Sequence, residues 1–99
     1  MAHAEILAEF EKPGGWDFDA QVLTATGALI RHTVHLNWAD YNLWSASGSD
    51  EPAAVAIAVL EFLYDEGHGA TLRDRFDASL ARRLSSNADA MIPPRIGIG

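Results

Sequence analysis

The stretch Trp16–Trp38, WDFDAQVLTATGALIRHTVHLNW, alternates apolar and polar residues on both sides of a short break. Trp16, Phe18, Ala20 and Val22 share one parity, and Ile30, His32, Val34, Leu36 and Trp38 repeat it. Successive side chains of a strand point to opposite faces of a sheet, so each set lines one face. The Thr24–Gly27 segment between them carries turn residues, and so short a connection forces the two strands into an antiparallel pair. Matching apolar to apolar sets Val22 opposite Ile30, Ala20 opposite His32, Phe18 opposite Val34 and Trp16 opposite Leu36. The reverse face then pairs Asp17 with His35, Asp19 with Thr33 and Gln21 with Arg31. A slip of one residue would turn every side chain over, so the pattern restricts the register.

Upstream, Ile6, Ala8 and Phe10 continue the alternation, and Lys12-Pro13-Gly14-Gly15 supplies a turn. The pattern predicts strands over 4–11, 16–23 and 29–37, with the second in the middle and the first and third as edges. The first hairpin sets Glu9 opposite Asp17. Downstream, Asn37 caps a predicted helix from Trp38 to Ala46, with Trp38 and Leu43 expected in the core and Tyr41 and Trp44 reaching past it. Ser49-Asp50-Glu51-Pro52 marks the start of a helix over 51–66, with a capping hydroxyl, two acids at the positive end of the dipole and an early proline. That helix is apolar nearly all round as far as Leu60, the pattern of a segment buried on more than one side. A third helix is expected from Asp77 to Asn87, presenting Leu80, Ala81 and Leu84 inward. Pro93-Pro94 ends any later helix.

The expected fold class is α+β: an N-terminal three-stranded antiparallel β-meander with two to four C-terminal helices packed on one face. One domain is expected over 1–92, with 93–99 as a mobile tail. The 99 residues, 48% hydrophobic with a mean hydropathy of −0.02, have globular composition. The longest apolar run, Ala53–Leu60, falls far short of the ~20 residues a membrane helix needs. There is no cysteine, which excludes disulfides, thiol nucleophiles and thiolate metal sites. The start of the chain lacks the pattern of a secretory signal, so the cytoplasm is the expected location.

The net charge of −7 is unevenly spread. Eleven acids oppose Lys12 and Arg31 in residues 1–66, whereas Asp74, Asp77 and Asp89 oppose Arg73, Arg75, Arg82, Arg83 and Arg95 in the remainder. Two explanations compete: the basic segment folds back onto the acidic one, or it meets a second copy or a basic partner. Exposed charge is mostly solvated, which favours the first. A chain acidic overall repels nucleic acid at long range.

His35 with Asp17 is the best acid/base pair for catalysis, set against an ordinary ion pair on a sheet surface. His32 and His35 form a His-x-x-His spacing, but on a strand an odd separation sends the rings to opposite faces, so no metal is expected. His32 is expected to fill the gap beside Ala20, bonded by one nitrogen. No cofactor motif is present. The turn Glu11-Lys12-Pro13-Gly14-Gly15-Trp16, with an alanine-rich helix later in the chain, resembles HicB-type antitoxins. The resemblance implies a toxin-neutralising or nucleic-acid-linked regulator, here using the arginine-rich C-terminal third. The third strand and aromatic segment depart from that pattern, and no residue is carried over. The leading expectation is a non-enzymatic interaction or regulatory module. It would use an open acidic sheet face or an unpaired edge strand, with Glu5, Glu9, Asp17, Asp19, Arg31 and His35 as binding residues on that face and Tyr41 and Trp44 beside it. The partner would be itself, as a homodimer, or another protein, with neither a membrane nor a cofactor involved. The runner-up is a small enzyme, or an enzyme subunit, working through His35 and Asp17.

Overall fold

In the computed structural model of the chain, which describes residues 1–97, three antiparallel strands come first: β1 (His3–Lys12), β2 (Gly15–Leu23) and β3 (Leu29–Asn37). β2 and β3 pair in the register that the alternation requires, from Trp16 opposite Leu36 to Val22 opposite Ile30. Asp17 stands opposite His35 on the reverse side. At the tight end of the first hairpin, Gly15 has φ +155° and lies against β3; a Cβ there would sit 2.8 Å from the Asn37 Cα. Only glycine allows so close an approach in that conformation.

β1 departs from the expected register. Ile6 pairs with Ala20 but Ala8 pairs with Asp19, so Leu7 forms a bulge. The extra residue inverts the parity of the rest of the strand: Phe10 lies opposite Asp17 and Glu9 opposite Phe18. Ala8 and Phe10 are therefore not on the helix-covered face, and Glu9 does not face Asp17.

α1 (Trp38–Trp44) comes directly after β3. Asn37 caps it as predicted, accepting from the Asp40 N–H at 2.8 Å, and its amide donates to the Asp40 carboxylate at 3.1 Å. α2 (Pro52–Asp65) has proline in its first turn, but Ser49 does not cap it; that hydroxyl pairs with Ser47 at 2.7 Å. α2 lies across β1, β2 and β3. Val55, Val59, Phe62 and Leu63 join Phe18, Val22, Val34 and Leu36 in one fully buried core. Burying each such side chain contributes about 1.5–3 kcal/mol.

β3 is not an edge along its whole length. A fourth strand, β4 (Arg75–Asp77), pairs with Thr33–His35 in parallel. A parallel neighbour needs a long crossover, and the segment through α1 and α2 provides it. The predicted third helix is shorter than expected, α3 (Leu80–Leu84), and the later helix before Pro93-Pro94 is the single turn α4 (Ala88–Met91). Asp77 ends β4, paired with His35, and the helix begins only at Leu80; the Asp77 carboxylate accepts the Ser79 N–H at 2.9 Å in the turn between them. Pro93–Arg95 form a single 3-10 turn, Ile96 packs against the core, and Arg95 meets Asp65 at 2.8 Å. The rest of the expected tail, residues 98–99, lies outside the described residues.

Candidate functional site

Among the described residues, helices cover one side of the sheet and leave the other bare. On the bare side the register aligns Phe10, Asp17, His35 and Asp77 across all four strands. The next row holds Ala8, Asp19, Thr33 and Arg75; beyond it come Glu5, Gln21 and Arg31, then His3, Leu23 and Leu29. Charged side chains hold the centre. The Asp17 carboxylate meets His35 Nδ1 at 2.7 Å and the Arg75 guanidinium at 3.6 Å. Thr33 donates to Asp19 at 3.0 Å, and Arg31 Nε donates to Gln21 at 3.3 Å. Large apolar side chains flank this centre: Phe10 is 49% exposed and Leu29 63%, with Leu7 and Leu23 also exposed.

The fold thus gathers Glu5, Asp17, Asp19, Arg31 and His35 on one surface, as alternation predicts. Glu9 does not join them, because the Leu7 bulge turns it to the parity of Phe18. Tyr41 and Trp44 do not join them either. Both are buried, whereas Trp38 and Leu43, expected inside, are 48% and 52% exposed. Hydrogen bonding accounts for the reversal. The Tyr41 hydroxyl donates to the Gly48 and Asp50 carbonyls, and Trp44 Nε1 donates to Asp89 at 2.8 Å. Trp38 instead lies against Trp16, ring centres 4.4 Å apart. Sequence reasoning missed Phe10, Arg75 and Asp77. The apolar run Ile6-Leu7-Ala8, which breaks the alternation, is the signal that marks the bulge.

Asp17 and His35 form the hydrogen-bonded pair that acid/base chemistry would use. The neighbouring hydroxyl of Thr33 is already committed to Asp19. Cavities lie away from this pair: along the Leu29–Thr33 edge, beside the N-terminus, by Tyr64 and between Phe76 and Leu84. Among the described residues, no three His, Cys, Asp or Glu side chains are grouped to hold a metal ion.

His32 is buried and bonded by both nitrogens, not one. Nδ1 donates to the Arg73 carbonyl at 2.8 Å, and in the neutral ring Nε2 accepts from the Tyr64 hydroxyl at 2.6 Å. Burial pushes the Tyr64 hydroxyl above its ordinary pKa. Three of the five arginines of the C-terminal third fold back onto the acidic part of the chain. Arg75 meets Asp17, Arg95 meets Asp65, and Arg82 pairs with buried Asp40 and with Asp89 while stacking on Trp44 at 5.0 Å. The Asp40 hydrogen bond above all holds Arg82 above its usual pKa, against the opposing effect of burial. Among the described residues Arg73 and Arg83 make no ion pair.

No family model, no curated protein and no solved structure matches this chain. No helix among the described residues is long and apolar enough to cross a membrane.

Proposed function

We propose that the chain is a protein-interaction module that binds a partner protein through the uncovered side of its sheet. One observation carries this reading: exposed Phe10, Leu23 and Leu29 share with the polar cluster of Asp17, His35 and Arg75 a face that no helix among the described residues covers. Large apolar side chains beside fixed polar groups are what protein partners bury most effectively. The cavities along the Leu29–Thr33 edge and beside the N-terminus are not lined by Asp17 or His35, which favours a macromolecule over a small substrate at that pair. The fold-back of Arg75, Arg82 and Arg95 onto acids weakens the alternative of a nucleic-acid-linked regulator, since phosphate contacts need free cations.

Site-specific photocrosslinking in cells tests the reading. A benzophenone amino acid replaces Phe10 or Leu29 on the bare face, and Glu51 on the helical side serves as control. The expected result is a discrete protein adduct from Phe10 and Leu29 and none from Glu51. Equal adducts from all three sites, or none from the bare face, would overturn it. An adduct of twice the chain's mass would identify the partner as a second copy.

A further inference from the structure

β3 presents backbone groups to both sides. The Thr33 N–H donates to the Asp74 carbonyl at 2.6 Å, and the His35 carbonyl accepts from the Ala78 N–H at 2.8 Å. Odd-numbered residues of β3 therefore aim their backbone groups away from β2. By the same alternation, the N–H and C=O of Leu29 and Arg31 also face outward, beyond the reach of β4, which pairs only with Thr33–His35. No other backbone group among the described residues bonds to them. A cavity of about 520 Å³ runs along this stretch, lined by Leu29, Ile30, Arg31, Asp19 and Asp74 among others.

The opposite edge of the sheet is guarded. β1 carries the Leu7 bulge and the charges of Glu9 and Glu11, and its Ala4 N–H is taken by the Glu61 carboxylate at 3.0 Å. Bulges, edge charges and covering groups are how sheets resist the addition of another strand. The Leu29–Arg31 edge has neither bulge nor covering group, and its one charged side chain, Arg31, is held along the face by the Gln21 amide.

We propose that Leu29–Arg31 is a docking edge for an extended, basic segment of another protein, which would lie alongside β3 in line with β4. Only another extended backbone matches a row of outward N–H and C=O groups. Charge selects which one. Asp19 and Asp74 line the cavity against one cation, Arg31, which is drawn to Gln21; Asp74 makes no ion pair among the described residues, and a net charge of −7 repels a second copy. Lysine or arginine side chains of the incoming strand would meet the two carboxylates, while apolar ones would cover Leu29 and Ile30. The inference rests on the sheet being an interaction surface and narrows that reading to an edge and a mode of binding.

Amide hydrogen exchange by NMR tests it, with an acetylated and amidated Lys-Val-Lys-Val-Lys peptide as probe. In the protein alone, the Leu29 and Arg31 amides should exchange freely while those of Ile30 and His32, turned toward β2, are slow. The peptide should slow Leu29 and Arg31. Arg31→Pro removes an outward N–H that the fold does not use and should weaken the peptide about fivefold, the worth of one ladder hydrogen bond. If that variant fails to fold, Leu29→Lys, which opposes a basic strand, should weaken it comparably. No effect of the peptide, or equal binding of Glu-Val-Glu-Val-Glu, would overturn the proposal. So would Arg31 protection that grows with protein concentration in the absence of peptide. Adducts at Phe10 with an unresponsive Arg31 amide would sink the docking edge and leave the interaction reading standing; loss of both would sink both.

Discussion

The Tyr64 hydroxyl stands 2.6 Å from His32 Nε2, joining the last turn of α2 to β3 inside the domain. Replacing the hydroxyl leaves a buried ring nitrogen without a partner. Tyr64→Phe should therefore cost about 1–3 kcal/mol, the usual penalty for an unsatisfied buried polar atom. Urea unfolding measures it, and a loss under about 0.5 kcal/mol, the scatter of an ordinary surface substitution, would contradict this role for the bond. Because burial raises the Tyr64 pKa above 10.0, its contribution to stability is complete below that value. It should disappear as pH rises through the higher folded value. A late phase of tyrosinate absorbance in the folded protein should be lost in Tyr64→Phe.

Arg82 links three elements by pairing with Asp40 of α1 and Asp89 of α4 while lying over Trp44. Asp40 is only 3% exposed, so Arg82→Ala strands a buried carboxylate. With the guanidinium partly in solvent, the expected loss is about 1–3 kcal/mol, below that of a fully buried pair. Arg82→Ala combined with Asp40→Asn should recover part of it in a double-mutant cycle. A purely additive cycle would show that the pair is not coupled.

Gly15→Ala should be more harmful than its size suggests. The added methyl would overlap the Leu36 carbonyl, in a backbone conformation with positive φ. A loss of about 2 kcal/mol or more in thermal unfolding is expected, whereas Gly14→Ala, with open space around it, should cost far less. Equal effects at the two positions would contradict the close approach of the hairpin to β3.

Acid should loosen the attachment of the chain's two ends to α2. Burial alone would raise the Asp65 pKa, but the Ala2 N–H, the Arg95 guanidinium and the amino terminus outweigh it and hold the value below the ordinary 3.8. A depressed carboxylate stabilises the fold above the unfolded value, and that contribution fades as pH falls through the folded one. The pH profile of unfolding should therefore lose part of its slope below about pH 4 in Asp65→Asn. An unchanged slope would contradict it.

Most of the sheet was legible because period two is hard to satisfy by accident over Trp16–Trp38, and a buried face fixes register. The Asp17–His35 pair came from that register alone. The features that escaped depend on single residues or on distant partners. One inserted residue at Leu7 moved Phe10 onto the bare face and Glu9 off it. β4 has three residues and one buried side chain, Phe76, too few to show a period. Tyr41 and Trp44 went inward because their polar tips found Gly48, Asp50 and Asp89, partners that no local pattern announces. Arg75 reached Asp17 only through that unannounced strand.

A sheet covered on one side and free on the other is most directly tested by thiol reactivity, which this cysteine-free chain permits without background. Single substitutions Arg31→Cys, His32→Cys, Thr33→Cys, Val34→Cys and His35→Cys are treated with N-ethylmaleimide, as purified protein and in cells of the organism that makes it. Positions 31, 33 and 35 should react quickly when purified and slowly in cells, with 32 and 34 slow in both. Even rates along β3, or a purified face already slow at 31, 33 and 35, would contradict an uncovered surface waiting for a partner.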